Sequence, residues 1–155
     1  MINLSISKCK PNPLGKDSFA GDIPNSQLAG EWADFYNFSQ ASLSLDKIEL
    51  HHWAYTSAKP DGEWRLYSDF SGTLPPGGIV RVHSGGNVDL KFLKPIDVSG
   101  ADYHVFSGKG YVLNNDKPDR LGLWDLEKRQ WIDLAKYNAY PPEGKILVRS
   151  GEYLV

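Results

Sequence analysis

The chain has 155 residues, 41% apolar and 23% charged, with a formal net charge of −2 at pH 7. That is the length of one domain with an ordinary globular composition, enough to bury a core without covalent staples. The charge excludes the general electrostatic footprint of a nucleic-acid or anionic-lipid binder, and a single cysteine, Cys9, excludes an internal disulfide.

Gly and Pro make up about a sixth of the chain, more punctuation than a helical protein tolerates. The opening "MINLSISKCKPNP" lacks the basic start and apolar run of a secretory signal, and no later stretch reads as a membrane span. The default expectation is a cytoplasmic protein with no membrane partner. A signal removed ahead of the chain would make it secreted instead. "INLSISKC" puts Ile2, Leu4 and Ile6 on one face and Asn3, Ser5 and Ser7 on the other, a half-buried strand. "PNPLGKD" breaks it with turn residues. Alternation returns in "EWADFYN" (31–37) and in "LDKIELHHWAY", with Ile48 and Leu50 on one side. "TLPPGGIVRVHSG" is a strand end, a turn, and a strand carrying Val80 and Val82. "DYHVFSGKGYVL", "RLGLWD" and "QWIDLAKY" add three more strands, and "GKILVRSG" is a further candidate. Turn signals every eight to twelve residues predict a sandwich or barrel. The two best helix candidates, 24–30 and 39–46, are too short and too polar. Residues 17–29 and 84–101 read as long loops.

"VLNNDKPDRLGLWD" (112–125) asks whether its polar centre is a binding loop or a turn. Val112 and Leu113 end one strand, and Leu121 and Leu123 are spaced by two in the next. Asn, Asp and Pro between them supply turn chemistry. The alternating oxygens, Gly and later Glu of a calcium loop are missing. No catalytic, metal or cofactor site is expected elsewhere. His51 and His52 are adjacent on a strand and point to opposite faces, and His83 and His104 have no ligand partner at i+2 or i+4. Cys9 stands between two lysines but in no thiol-enzyme context, so it reads as an inert, partly buried thiol. "SGKG" (107–110) lacks the spacing of a phosphate-binding loop, and no Gly-x-Ser-x-Gly elbow exists.

"VLNNDKPDRLGLWD" followed by "RQWIDLAKY" resembles the closing half of the lamin tail domain family as it occurs in bacteria. The matching positions are Trp124 and Asp125, then Asp133 and Tyr137. "ISKCKPNPLGKD" is similar to the family's first strand and its Asn-Pro-x-Gly-x-Asp turn, through Asn12, Pro13, Gly15 and Asp17. "GEWADFYN" resembles its Glu-Trp-Val-Glu-Leu-Tyr-Asn strand, with Ala33 smaller and Asp34 in place of Glu. "LSLDKIEL" and "TLPPGGIVRVHSG" follow in the family's order. The resemblance spans about residues 2–138, with long loops at 17–29 and 56–72, and leaves 139–155 as a C-terminal extension. It implies a single domain over 1–155, all-β, an immunoglobulin-like antiparallel β-sandwich. It also implies a non-enzymatic binding module with a protein partner.

Five Trp and eight Tyr make the chain rich in aromatics. If Ala33 and Phe35 face the core, as the family pattern implies, then Trp32, Asp34 and Tyr36 face outward. On the next segment Glu49, His51, Trp53 and Tyr55 share the outward side. Trp32, Asp34, Tyr36, Trp53 and Tyr55 are therefore the candidate binding residues. Such a face suits a protein hot spot, and it is also what a carbohydrate-stacking surface uses. The alternative is that loops 56–72 or 84–101 fold over these rings and bury them. Nucleic acid is disfavoured, because the basic residues are scattered.

Overall fold

Strands form where apolar residues alternate, because a pleated chain sends successive side chains to opposite faces. In the first of them Leu4 and Ile6 are buried while Ser5 and Ser7 are only half-buried. The computed structural model describes residues 2–16 and 21–155, so Asp17 of the Asn-Pro-x-Gly-x-Asp match lies outside the described residues. The strands are β1 (Leu4–Lys10), β2 (Trp32–Asn37), β3 (Leu43–Ser44), β4 (Ile48–Ala54), β5 (Glu63–Asp69) and β6 (Thr73–Leu74). They continue with β7 (Ile79–His83), β8 (Tyr103–Phe106), β9 (Asp119–Asp125), β10 (Gln130–Tyr137), β11 (Leu147–Ser150) and β12 (Tyr153–Leu154). Helix among the described residues amounts to single turns: α1 (Asn25–Leu28), a 3₁₀ turn at Leu90–Phe92 and α2 (Pro95–Val98). None is long and apolar enough to cross a membrane.

The fold is all-β. Ten strands form one sheet in the order β5-β4-β9-β10-β12-β11-β1-β2-β7-β8, with β3 and β6 as a separate small ribbon. The sheet curls into a nearly barrel-shaped wall around one core. Leu4 and Ile6 of β1, Phe35 of β2, Ile48 and Leu50 of β4, Val80 and Val82 of β7, and Leu121 and Leu123 of β9 meet there. Burying each such side chain is worth roughly 1.5–3 kcal/mol. The sheet is not purely antiparallel: β7–β8 and β10–β12 run parallel. A parallel pair needs a long crossover. Residues 84–102 supply one, and the excursion through β11 supplies the other.

Three stretches differ from the sequence expectation. The 56–72 loop contains strand β5, hidden because its burial does not alternate: Tyr67 and Ser68 are both buried. Facing it, the β4–β5 register slips between Leu50 and His51, and such a bulge turns following side chains to the other face. The strand read across 102–113 is limited to Tyr103–Phe106. The 139–155 extension is structural: β11 pairs with β1 and β12 with β10, so this hairpin splices the two halves of the sheet. Arg149 of β11 fixes the splice. Its Nη1 and Nη2 donate to the Asp133 carboxylate at 2.9 and 3.1 Å, and further to the carbonyls of Ile6 and Leu134.

The 112–125 stretch is a turn, and a heavily tied one. The fully buried Asp119 carboxylate accepts from the backbone N–H groups of Trp53, Arg120 and Asn114 at 2.9, 2.7 and 3.0 Å. Asn114 Nδ2 donates to the Trp53 carbonyl at 2.8 Å, and Tyr137 Oη donates to the Asn114 carbonyl at 2.7 Å. Its polar residues satisfy backbone that would otherwise be buried without partners.

Candidate functional site: a tryptophan-lined sheet face

The five residues expected to share a binding face do not come together. β2 and β4 are separated by β9, β10, β12, β11 and β1 in the sheet. Trp32 and Asp34 do point away from the core, but they are not surface residues: their exposures are 0% and 2%. The 84–101 segment roofs them. Trp32 Nε1 donates to Asp97 Oδ1 at 2.9 Å, and Lys10 Nζ reaches the same oxygen at 2.5 Å. The Arg81 guanidinium lies 3.6 Å from the centroid of the Trp32 ring. It grips Asp34 through Nε and Nη2 at 2.7 and 2.8 Å and donates from Nη1 to the Ser99 carbonyl. Burial pushes the Asp34 carboxyl up, against the pull of the two bonds and the charge of Arg81. Tyr36 is half-buried beside Phe38.

Trp53 and Tyr55 are half-buried on the other half of the sheet. Tyr55 donates its hydroxyl to the Pro118 carbonyl at 3.1 Å. Trp53 belongs to an aromatic cluster that the sequence did not assemble. It meets Trp64 of β5 edge-on with centroids 5.3 Å apart, and Trp64 meets Trp131 of β10 at 4.5 Å. Trp131 in turn packs on Trp124 of β9 at 4.7 Å and meets His51 in a T-shaped contact at 5.8 Å. Four of the five tryptophans thus share the outer face of β5-β4-β9-β10, all half-buried, with no roofing segment among the described residues. Each ring pair adds about 0.5–1.5 kcal/mol beyond area burial.

Two glycines make room for the rings. A Cβ on Gly122 would stand 2.6 Å from Trp131 Cζ3, so only glycine lets that indole lie against the sheet. A Cβ on Gly62 would stand 1.9 Å from Trp53 Nε1, and the residue sits at φ +94°. Trp53 Nε1 donates to the Asp61 carbonyl at 3.1 Å, so this turn fixes the ring. An open groove of about 360 Å³ runs beside Trp64 and Trp131, bounded by Arg120, Leu134, Lys136 and Glu152. The groove thus has aromatic walls and a few charged groups at its rim.

Trp64, Trp124, Trp131 and Arg120 are residues of this face that sequence reading did not name as binding residues. A signal existed in Gly122, since a glycine inside a strand marks a close approach by another group. The bulge between Trp131 and Asp133 hid the matching alternation of β10.

Other chemistry-bearing groups are enclosed. Cys9 is fully buried, and desolvation, with the nearby carboxylates of Asp119, Glu31 and Asp34, pushes its thiol well above 9.0. Glu31, also fully buried, accepts from Lys16 Nζ, Ser84 Oγ and the N–H groups of Val112 and Leu113. That network ties the chain after β1 to the 112–125 turn. His51 and His52 take opposite faces, His51 under Trp131 and His52 against Tyr67 and Asp119. His83 and His104 meet across β7 and β8, stacked with ring nitrogens 2.8 Å apart. The Ala29 carbonyl faces His83 Nδ1 at 2.7 Å and can only accept, so in the neutral ring that nitrogen carries the hydrogen. Burial lowers His83 to about 4, and burial and the Arg81 charge lower His104 as well. Among the described residues no three His, Cys, Asp or Glu side chains converge as a metal site.

No family model matches the chain, and no curated protein matches it significantly.

Proposed function

We propose that this protein is a non-catalytic binding module of the lamin-tail kind, and that its ligand is a glycan chain held on the tryptophan face. The observation that carries this is the cluster of Trp53, Trp64, Trp124 and Trp131 on one unroofed sheet face, with a groove of about 360 Å³ at its edge. A sugar ring offers an apolar C–H face and a rim of hydroxyls. Indole walls match the first, and Arg120, Lys136 and Glu152 match the second. The lamin-tail reading is supported by the shared order of the motifs. An immunoglobulin-like sandwich is supported by two halves of the sheet facing each other across one core. The absence of catalysis is supported by the enclosure of Cys9, Glu31 and Asp119.

A protein partner, which the family resemblance implies, is the second reading. It is favoured by Leu134, 45% exposed beside Trp131, since an apolar side chain next to Trp and Arg suits a protein hot spot. Affinity electrophoresis of the purified chain in gels carrying soluble polysaccharides separates the two. Retardation that is lost in Trp131→Ala and Trp64→Ala, both of which still unfold cooperatively above the assay temperature, is the expected result. Unchanged mobility in every gel sinks the glycan reading and leaves the protein one.

A further inference from the structure

Arg120 and Lys136 occupy directly opposed register positions on β9 and β10, side by side at the tryptophan groove. Like charges placed directly opposite across two strands repel and destabilise the pair. Among the described residues one acid lies within ion-pair distance of either cation. Glu152 Oε2 is 3.7 Å from Lys136 Nζ, with the Glu152 side chain 82% exposed, and it answers one cation of the two. The Arg120 guanidinium is exposed and stands 4.5 Å from the centroid of the Trp53 ring. Among the described residues no hydrogen bond or ion pair holds it. Arg65, Arg81 and Arg149, by contrast, each hold a carboxylate.

A guanidinium stacked on an indole keeps its edge of N–H donors directed outward, and that planar fork matches a carboxylate with two parallel bonds. Building on the glycan reading above, we propose that the groove recognises an acidic polysaccharide, a chain of uronic acids. Arg120 is the residue that selects the sugar carboxylate. Trp64 and Trp131 contact the pyranose faces, Arg120 takes the carboxylate at the rim, and Lys136 adds charge without a fork. The ligand carboxylate then relieves the repulsion between the two opposed cations.

The test is a titration of the full chain, at fixed moderate salt, with oligogalacturonate and with the same oligomer methyl-esterified. The two ligands differ only in the methyl group that caps each carboxyl and removes its charge. Alginate and hyaluronan fragments extend the acidic set, dextran and cellulose oligomers extend the neutral set, and dextran sulfate supplies charge without carboxylate. At least one uronate should bind about tenfold or more tighter than the neutral set, a preference that Arg120→Gln removes. Arg120→Lys should recover only part of it, and Trp131→Ala should weaken acidic and neutral ligands alike. Equal affinity for acid and ester, or a preference untouched by Arg120→Gln, overturns the role of Arg120 and leaves the glycan reading standing. Dextran sulfate outcompeting every uronate marks an unselective cationic patch and also overturns it. No binding to any ligand, acidic or neutral, overturns both. Melting curves of the exposed Arg120 variants should match the parent, which keeps these outcomes separate from misfolding.

Discussion

The outer faces of the two halves of the sheet both carry tryptophan, and they differ in what covers them. On the β1-β2-β7-β8 half, Trp32 and Asp34 lie under the 84–101 segment, sealed by Arg81, Lys10 and Asp97. On the β5-β4-β9-β10 half, four tryptophans lean on one another with no described segment above them. An outward side chain is therefore no evidence of a surface. The roofed half spends its polar groups on one another, and each buried charge has a partner that satisfies it. The open half leaves a guanidinium without an acid, and there a ligand has something to gain.

The comparison breaks most directly at the roofed ion pair. Asp34→Ala leaves the Arg81 guanidinium, 2% exposed, without its carboxylate. A loss of about 3–5 kcal/mol in denaturant unfolding is expected. A loss below about 1 kcal/mol would mean that the roof lifts readily and that the two faces are alike.

The tryptophans give the paired version. Trp32→Ala empties a fully buried site and should cost about 3–5 kcal/mol of stability. Trp53→Ala, on the half-buried face, should cost clearly less while weakening ligand binding by roughly 2 kcal/mol. Comparable drops in melting temperature for both variants would make the open cluster a packing element.

Acid should act through the roofed half. His83 is held neutral down to about pH 4, whereas an unfolded chain takes the proton near 6.5. Between those values the unfolded state binds more protons, so stability falls as pH falls, by at most roughly 3 kcal/mol. The lowered His104 acts in the same sense. Asp34, raised by burial above 3.8, acts in the opposite sense. His83→Asn isolates the imidazole: melting temperature followed from pH 7 to pH 4 should slope less in the variant than in the parent. Identical slopes would remove His83 as the cause.

The smallest effect concerns the floor of the open face. Gly122→Ala sets a methyl against Trp131 and Leu134, and overpacking of that kind costs about 1–3 kcal/mol. The displaced indole should also show a shifted fluorescence maximum. An unchanged spectrum and stability would mean that Trp131 does not rest on the sheet.

Several features were legible in the chain itself. The inward residues of β1, β4 and β9 followed from alternation, which is a local property of pleated backbone. The 112–125 turn followed from the Asn, Asp and Pro side chains that bond to nearby backbone. The opposite directions of His51 and His52 followed from adjacency. β5 was not legible, because a bulge breaks its period, nor was the sheet-splicing role of β11 and β12, which depends on pairing with β1, more than a hundred residues away in sequence.

The sequence by itself determined that Trp53 turns away from the Ile48–Leu50 side of its strand, and that Trp32 and Asp34 share the face opposite Ala33 and Phe35. Only the tertiary structure decided which of those are covered. Period two fixes a direction relative to the sheet, and the direction is set by the residue's own backbone. Cover is set by whatever the chain later lays on that face: Asp97 reaches Trp32 from 65 residues away, and Arg81 reaches Asp34 from 47. The gathering of Trp53, Trp64, Trp124 and Trp131 is likewise a product of strand order, which places β5, β4, β9 and β10 side by side although they come from distant parts of the chain.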